Sequence, residues 1–423
     1  MALIKPFQGL FYNPDRVTGT HVVAPPYDII TPDYQNTLYE KSPYNIVRID
    51  FGHDLSGDNN LVNKYTRASV YLKDWFKQGI LIQDKKPAYY VYEITYSIDG
   101  MPKQMTGFMA AVRLEPIGTG CIHPHEMTRP KPKEDRLNIL RYCLANISPI
   151  FGLYSCPEKW LYSVLQSAKT DAPLFEAEDR DGHIHRLWLI HDIDTVETIT
   201  QVLANKDIFI ADGHHRYETA LSFKEELDSR AYGRTGNELY SYTMMFLTNM
   251  EEEGFHLLPT HRMVKGISMD MLKRLNMAFN ISPVAVDNGN SELAIRKLLS
   301  LMAQQEHCLG LYLRQDRSYY LLQYDIESLS IDEPEALKKL GVTVLHKIIF
   351  DRFLTPAEIT FEINPVDTVH SVNSGDYEAA FFLNPTKTQD IHKVALARLR
   401  MPAKSTYFYP KLLTGMVMYM LNW

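Results

Sequence analysis

The residues best suited to chemistry in this sequence follow a short apolar run at residues 208–211. The pair Asp212–Gly213 ends that run, and the cationic group His214–Arg216 comes directly after it. Because the run has the length of a buried strand and a helical pattern follows, we predict a strand, a tight turn and a helix start. A helix start presents unpaired backbone N–H groups and the positive end of a dipole. Two imidazoles and a guanidinium placed there favour an anion as the ligand, most simply a phosphate.

A second polar segment lies at residues 122–149 and carries histidine, glutamate, aspartate and arginine side chains. Three prolines, Pro124, Pro130 and Pro132, lie close together within it. Because proline interrupts the interior of a helix, the sequence predicts a long, stiffened loop until about Asp135, followed by a short helix. Long loops often carry binding residues, so we predict that this segment forms the opposite wall of the phosphate pocket.

Two further groups of polar residues lie later in the chain. Lys404–Thr406 offers one ammonium group and two hydroxyl groups, which could hold a phosphate and close the pocket. The aromatic run after it could instead pack the C-terminal segment onto the body of the protein. Thr260–Arg262 places another histidine–arginine pair at the end of an apolar run, which alone is a weaker indication of a site.

The hydrophobic pattern that must position these groups indicates an α+β protein, and the pattern changes near residue 265. The predicted helices span residues 61–78, 195–204, 217–228, 269–279, 291–306, 342–354 and 388–400. The predicted strands include residues 46–50, 242–247 and 379–383, with one hairpin at 88–115 that turns near Asp99–Gly100 and another at 309–324. We therefore expect a first domain at residues 1–265 and a C-terminal α+β unit at residues 266–423 that packs back on it.

Composition restricts the class of protein. The formal net charge of −7 over 423 residues argues against a protein that coats nucleic acid with lysine and arginine. The four cysteines form no CxxC pair, which argues against a zinc knuckle or a disulfide framework and fits a reducing compartment. No stretch approaches the roughly 20 apolar residues of a membrane span. We predict a soluble, cytoplasmic protein without a membrane partner.

Three classes of activity fit the polar clusters. Phosphoryl transfer needs cations that neutralise charge and a carboxylate that orients the nucleophile, and the sequence supplies both. The sequence contains no GxxxxGK[ST] loop, which excludes a P-loop nucleotide enzyme. Metal-assisted hydrolysis would instead use His123, His125 and Glu126 together with Asp212, His214 and His215. A non-enzymatic regulatory module that binds a nucleotide or nucleic acid through the same cationic turn is the third alternative.

Taken in order along the chain, the motifs resemble those of a known family. They are Ala24–Asp28, His125–Glu126 with Thr128, Asp135–Arg136, Asp212–Tyr217, Pro259–Arg262 and Lys404–Lys411. Together they resemble the bacterial family of domain of unknown function 1015 over essentially the whole chain. The turn at Asp212–Arg216 is also similar to the phosphate-binding turn of the ParB/sulfiredoxin superfamily, which includes ParB-like free serine kinases.

This resemblance implies a ParB/sulfiredoxin-like mixed α/β core with large insertions, in which the turn binds the phosphates of a nucleotide. Members of the family are often encoded beside serine-biosynthesis enzymes, which implies serine or phosphoserine as the small molecule. The preferred hypothesis is a phosphotransferase or phosphohydrolase acting on a small phosphorylated metabolite, with ATP or ADP and Mg²⁺ as cofactors and no residue assigned to a metal. The predicted catalytic residues are His125, Glu126, Asp135 and Asp212. The predicted phosphate-binding residues are Arg136, Gly213, His214, His215, Arg216, Lys404, Ser405 and Thr406.

Overall fold

The computed structural model describes residues 2–98, 100–128, 130–169, 172–230, 235–268, 270–285 and 291–421. The chain forms two units. Unit 1 contains Met1–Pro124, Thr128–His256 and Pro410–Trp423, and unit 2 contains His125–Met127 and Leu257–Tyr409. The predicted domain boundary near residue 265 stays a prediction.

The strands are numbered in chain order. They are β1 (Ile4–Lys5), β2 (Gly9–Tyr12), β3 (Leu81–Gln83), β4 (Tyr89–Ile98), β5 (Met101–Arg113), β6 (Ile122–Pro124), β7 (Ala145–Asn146), β8 (Ile150–Tyr154), β9 (Phe175–Glu178), β10 (Ile184–Ile190), β11 (Ile208–Asp212), β12 (Tyr242–Asn249), β13 (His256–Leu258), β14 (His261–Lys265), β15 (Asn280–Pro283), β16 (Cys308–Leu313), β17 (Ser318–Gln323), β18 (Glu358–Glu362), β19 (Ala379–Phe382), β20 (Tyr407–Tyr409) and β21 (Met418–Met420).

The α-helices are numbered in the same way. They are α1 (Gly19–Val22), α2 (Pro32–Lys41), α3 (Val47–Asp50), α4 (Lys64–Lys77), α5 (Pro130–Cys143), α6 (Trp160–Ser167), α7 (Ile193–Ala204), α8 (His214–Arg230), α9 (Met271–Leu275), α10 (Ser291–Ala303), α11 (Glu335–Lys338), α12 (Gly341–Val344), α13 (Pro365–Asn373) and α14 (Thr388–Leu396). Short 3₁₀ turns occupy Tyr27–Ile29 and Leu239–Ser241, and α12 continues as a π-helix over Leu345–Leu354. Within the described ranges, no helix is both long enough and apolar enough to cross a membrane.

Unit 1 is built on a nine-stranded mixed sheet with the order β6-β11-β8-β12-β5-β4-β10-β9, and β1 pairs with β5. β11 runs parallel to β6 and antiparallel to β8, while β12 runs parallel to β8. The segments Tyr89–Tyr92 and Met109–Val112 are wholly buried, as expected for central strands that are covered on both faces. Because β11 lies inside this sheet, the sheet fixes the position at which Asp212 ends the strand.

A second sheet of unit 1 has the order β3-β2-β21-β7 and joins the two ends of the chain. Gly9 and Leu10 of β2 pair with Tyr419 and Met418 of β21. This pairing holds the C-terminal segment against unit 1. Lys411, which precedes β21, is thereby available to the candidate site.

Unit 2 is built on a six-stranded sheet with the order β15-β17-β16-β19-β14-β18, in which the registered pairs are antiparallel. Helices α10 and α13 contribute Leu298 and Val372 to a hydrophobic core that also contains Phe382 of β19. β14 pairs with β18 on one side and β19 on the other, so the His261–Arg262 pair lies in an interior strand.

The prediction of a strand at residues 46–50 is wrong, because α3 occupies Val47–Asp50. The side chain of the buried Asn45 fixes this turn. Its Oδ1 accepts a hydrogen bond from the backbone N–H of Val47 at 3.0 Å, and its Nδ2 donates to two backbone carbonyl groups. A side-chain hydrogen bond at the helix start thus outweighs the β-forming preference of the valine and isoleucine that follow.

The prediction that residues 122–149 form a loop until about Asp135 is also wrong, because β6 and the first turn of α5 precede that residue. α5 begins at Pro130 rather than near Asp135. Pro130 and Pro132 therefore lie in the first turn of the helix, where a backbone N–H has no acceptor within the helix and proline is tolerated. The polar residues of this segment are consequently carried by a helix, which orients them more rigidly than a loop would.

The predicted α+β fold class is confirmed by the helices and mixed sheets. The strand predicted before Asp212 is β11, and the helix after it is α8. β4 and β5 form the predicted hairpin, although Asp99 at its turn lies outside the described residues. Met269, where a helix was expected to begin, also lies outside them, and α9 covers Met271–Leu275.

Candidate active site

The turn between β11 and α8 has the form that the sequence predicts. β11 ends at Asp212 with a register shift against β8, and α8 begins at His214. Gly213 between them has φ +92°, a left-handed conformation that glycine adopts without a steric cost. A Cβ atom at this position would lie 2.9 Å from Nε of Arg216, so glycine also leaves room for the guanidinium.

Arg216 is held in place by two acceptors. Its Nη2 donates to Oδ2 of Asp212 at 2.8 Å, and its Nη1 donates to the backbone carbonyl of Pro149. The other oxygen of the Asp212 carboxylate lies 3.2 Å from Nζ of Lys411. Asp212 therefore contacts two cations, Arg216 and Lys411. These contacts suit a role for Asp212 in orienting Arg216. His214 in the same turn is buried, and His215 is partly exposed.

Helices α5 and α8 pack side by side and are joined by polar contacts. Glu218 of α8 accepts a hydrogen bond from the Thr128 hydroxyl at 2.6 Å and forms an ion pair with Lys133. Further along the two helices, Nη2 of Arg141 lies 2.9 Å from Oε2 of Glu226. This packing aligns the two helices, of which α5 carries Arg136 and α8 carries Arg216.

Arg136 is a buried guanidinium with 5% of its side chain exposed. Its Nη1 donates to Oδ1 of Asp50 at 2.7 Å, and its Nη2 donates to the backbone carbonyl of the same residue at 2.7 Å. Its Nε donates to Oδ2 of Asp135 at 3.0 Å. The ring of Tyr27 covers the guanidinium, with its centroid 3.9 Å from Cζ. These contacts fix the guanidinium in one orientation.

Asp135 is bound on its other side by α4. Its Oδ1 accepts a hydrogen bond from the Tyr65 hydroxyl at 2.9 Å and lies 3.3 Å from Nζ of Lys64. Burial would raise the pKa of this carboxyl, but the charges of Arg136 and Lys64 and the hydrogen bonds from Arg136 and Tyr65 lower it below its ordinary value. Asp135 is therefore an ionised anchor for Arg136.

A small cavity of about 40 Å³ lies between these helices and is lined by Asp50, Arg136 and Arg216, with Thr219 beside them. Both predicted arginines therefore reach one cavity in unit 1. Asp50 is 2% exposed, and burial raises its pKa although the charges of Arg136 and Arg216 oppose the shift. Its Oδ2 accepts no hydrogen bond from any residue in the described part of the chain.

Asp50 is the functional candidate that the sequence did not identify. The strand predicted at residues 46–50 gave no reason to bring this carboxylate to Arg136. Two signals were available: Asn45, which could start a helix turn, and the single acidic residue at the end of the mostly apolar segment 46–50. A buried carboxylate with a raised pKa beside two arginines is typical of a functional site.

The remaining predicted residues lie in unit 2, where Thr406 connects them. Oε1 of Glu126 accepts hydrogen bonds from the Thr406 backbone N–H at 2.9 Å and from its hydroxyl at 2.8 Å. Nε2 of His125 lies 3.0 Å from the same hydroxyl oxygen. Because that hydroxyl donates its proton to Glu126, it accepts from His125. The Ser405 hydroxyl donates to the Pro402 carbonyl at 2.6 Å, a contact that closes the local turn.

Arg262 adds a buried cation to this part of unit 2. Its guanidinium donates to the backbone carbonyl groups of Thr260 and Lys404, the latter at 2.9 Å. Burial lowers its pKa to about 10, against the opposing charge of Glu126. The group Lys404–Thr406 is thus tied by backbone and side-chain hydrogen bonds to the elements that carry Glu126 and Arg262.

His261 next to Arg262 makes the stability of unit 2 sensitive to acid. Burial and the neighbouring guanidinium lower its pKa to about 3, so the folded protein holds it neutral. Its Nδ1 accepts the backbone N–H of Leu383 at 3.4 Å. When unfolded, the imidazole takes up a proton near pH 6.5, so its contribution to stability is complete above that pH and is lost as the pH falls toward 3. The expected slope is about 1.4 kcal/mol per pH unit.

We therefore expect His261→Asn, which keeps a side-chain acceptor but does not titrate, to flatten the fall of unfolding free energy between pH 6.5 and pH 4. Urea unfolding followed by far-ultraviolet circular dichroism measures this slope. His370→Asn is a matched control, since His370 is exposed on α13 of the same unit. Equal slopes in the wild type and His261→Asn would contradict the prediction.

The histidines that the metal-hydrolase alternative would use have other contacts. Nε2 of His123 lies 2.9 Å from Oδ1 of Asp207, and its ring stacks on Phe209. Across the described ranges, a single group of three or more potential ligands has its ligating atoms within 4.8 Å of one another. It consists of Asp179, His183 and His185, and it shares no residue with the predicted metal set.

The family model described as "Protein of unknown function (DUF1015)" matches residues 4–343. The chain belongs to this family. The match confirms the family that the sequence motifs indicated, and it includes α5, α8 and the elements that carry Asp50 and Arg262. The motif Lys404–Lys411 lies beyond the matched residues. No match was found among curated protein sequences.

Several solved structures are similar to this chain at low sequence identity. A mutant free serine kinase in complex with AMP is 11% identical, with a TM-score of 0.35, over 70% of this chain and 89% of that chain. A conserved hypothetical protein from Pyrococcus furiosus is 12% identical, with a TM-score of 0.34, over 70% and 92%. SbnI with a C-terminal truncation, from Staphylococcus aureus, is 9% identical, with a TM-score of 0.36, over 72% and 85%.

Proposed function

We propose that this protein is a phosphotransferase or phosphohydrolase that acts on a small phosphorylated metabolite. The phosphate would bind at the start of α8, where Gly213 and His214 open the helix and Arg216 is fixed by Asp212. The single observation that carries the proposal is the cavity at which Arg136 and Arg216 meet the buried carboxylate of Asp50. Phosphoryl transfer depends mostly on such fixed cations and on a carboxylate that orients the nucleophile.

Asp50 is the carboxylate that we propose as the general base. A base must have an oxygen available to the substrate proton and a pKa shifted toward the working pH. Oδ2 of Asp50 has no hydrogen-bond donor among the described residues, and burial raises its pKa. Asp135 and Asp212, which the sequence indicated as candidate bases, each contact cations, so we propose that they orient Arg136 and Arg216.

The substrates are proposed from the family resemblance and the polar groups of the chain. Serine or phosphoserine would be the metabolite, and ATP or ADP with Mg²⁺ would supply or accept the phosphoryl group. In this proposal His215 contacts the phosphate beside Arg216. His125 and Glu126, predicted from the sequence as catalytic, belong to unit 2 and stay predictions, as do the predicted phosphate-binding residues Lys404, Ser405 and Thr406 of the same unit.

Arg216→Ala is expected to weaken the binding of phosphoserine and ADP by about 10- to 100-fold, because a hydrogen bond to a charged group contributes roughly 1.5–3 kcal/mol. Isothermal titration calorimetry measures the affinity. Arg230→Ala is the matched control, since Arg230 lies at the exposed end of the same helix and pairs with Glu226. Unchanged affinity in a folded Arg216→Ala protein would mean that the turn is only structural.

The reaction itself is tested by incubating the purified full chain with serine and ATP, with serine and ADP, and with phosphoserine alone. The proposal expects phosphate to move in at least one mixture. Binding of nucleotide without turnover would favour the alternative of a regulatory module. Turnover that requires His123 rather than Asp50 would favour the metal-hydrolase alternative.

A further inference from the structure

The β9–β10 hairpin of unit 1 carries an aspartate and two histidines outside the candidate active site. Asp179 follows β9 in the turn, and its Oδ1 accepts the backbone N–H groups of Asp181 and His183, both at 2.9 Å. His183 directly precedes β10 and His185 lies within it. Because these two residues are two positions apart, their side chains share one face of the strand.

The ligating atoms of the three side chains converge on one point. Oδ2 of Asp179 lies 2.9 Å from Nδ1 of His183 and 3.3 Å from Nε2 of His185. All three atoms lie within 4.8 Å of one another. Around a tetrahedral zinc ion with bonds near 2.0–2.1 Å, neighbouring ligand atoms are about 3.3 Å apart. Small side-chain adjustments would therefore admit an ion between these atoms.

We propose that Asp179, His183 and His185 bind one first-row divalent cation of the zinc class, with water as the fourth ligand. Two imidazoles and a carboxylate are a ligand set that suits Zn²⁺ among the divalent metals. His185 is fully buried and His183 nearly so, whereas 15% of the Asp179 side chain is exposed. The partly exposed Asp179 gives an ion and its water a route to the site.

Tyr92 is a positioning residue for this site. Its hydroxyl oxygen lies 2.7 Å from Nδ1 of His185 and accepts the backbone N–H of Leu413 at 3.1 Å. With Nδ1 held in this way, Nε2 of His185 is directed at Asp179. With an ion on Nε2, the ring proton lies on Nδ1 and is donated to the tyrosine oxygen, which has two acceptor sites. Such outer hydrogen bonds orient metal-binding histidines.

The site is separate from the proposed phosphotransfer chemistry, because none of its residues lines the cavity at Asp50. In the absence of an ion, the same side chains form a hydrogen-bonded cluster that stabilises the hairpin. A metal site binds one equivalent of a divalent ion, whereas a purely structural cluster binds none, and this difference can be measured directly.

The test is a titration of the EDTA-treated full chain with Zn²⁺ by calorimetry and with Co²⁺ by visible absorption. We expect one equivalent of either ion and a cobalt spectrum typical of a tetrahedral site. Asp179→Asn keeps the Oδ1 acceptor of the turn, and we expect it to weaken binding at least 100-fold. His183→Gln is expected to do the same, and Tyr92→Phe to weaken binding by about 10- to 100-fold.

His191→Gln is the matched control, since His191 directly follows β10 and contacts Asp84 rather than this cluster. Its metal affinity should equal that of the wild type. Circular dichroism establishes that each variant is folded, and the wild-type titration decides the proposal even if a variant is not. Less than one equivalent bound by the wild type, or undiminished binding in folded Asp179→Asn and His183→Gln, would overturn it.

Discussion

Replacing Arg136 with methionine is expected to lower the free energy of unfolding by about 3–5 kcal/mol, the usual cost of removing one partner from a buried ion pair. Arg136 and Asp50 have 5% and 3% of their side chains exposed. Without the guanidinium, the Asp50 carboxylate would stay in a site with little water and lose both a charge partner and a hydrogen bond. Urea denaturation followed by circular dichroism measures the change.

Two further variants separate this effect from a loss of packing. Arg141→Ala removes a partly exposed arginine from the same helix, and we expect it to change stability by about 0.5 kcal/mol or less. The double variant Asp50→Leu with Arg136→Met removes both charges and should recover much of the lost stability, because apolar pairs often replace buried ion pairs without a net cost. If Arg136→Met alone cost less than about 1 kcal/mol, the buried pair would not have the role that we assign to it.

Asp50→Asn is expected to reduce kcat for phosphate transfer by about 10²- to 10⁴-fold, the usual contribution of a general base. Asparagine keeps an oxygen that can accept from Nη1 of Arg136, but it cannot take up the proton of a nucleophile. The assay is steady-state turnover with serine and a nucleotide, and with phosphoserine alone. Asp54→Asn is the control, because Asp54 is an exposed carboxylate that pairs with Lys64.

The pH profile distinguishes a base from a residue that only orients Arg136. Because the pKa of Asp50 is raised, kcat of the wild type should fall as the pH falls through a value above the ordinary carboxyl pKa of about 3.9. The Asp50→Asn protein should lack this acid limb. If kcat of the Asp50→Asn protein lay within tenfold of the wild-type value and its pH profile kept the acid limb, Asp50 would have a structural role only.

The part of the site that depends on local pattern was predictable from the sequence. An apolar run, an Asp-Gly pair and a cationic helical segment are short-range signals, and β11, Gly213 and α8 match them. The α+β class follows from the same periodic patterns. Arg136 and Arg216, both predicted as phosphate-binding residues, line one cavity, and their role there stays a prediction.

The rest depends on contacts between distant residues. Asp50 reaches Arg136 only because Asn45 starts α3 in a segment whose composition favours a strand. α5 extends through Pro130 and Pro132 because proline is tolerated in the first turn of a helix, a position that the prolines alone do not reveal. The hydrogen bonds between Glu126 and Thr406 join residues far apart in the chain, and no local pattern indicates such a pairing.

The measurement that tests the central proposal most directly is ³¹P nuclear magnetic resonance of the full chain with Mg²⁺ and each of three mixtures: serine with ATP, serine with ADP, and phosphoserine alone. We predict a new resonance from phosphoserine or inorganic phosphate in at least one mixture, strongly reduced with Asp50→Asn and unchanged with Arg141→Ala. No movement of phosphorus in any of the three mixtures would contradict the proposal.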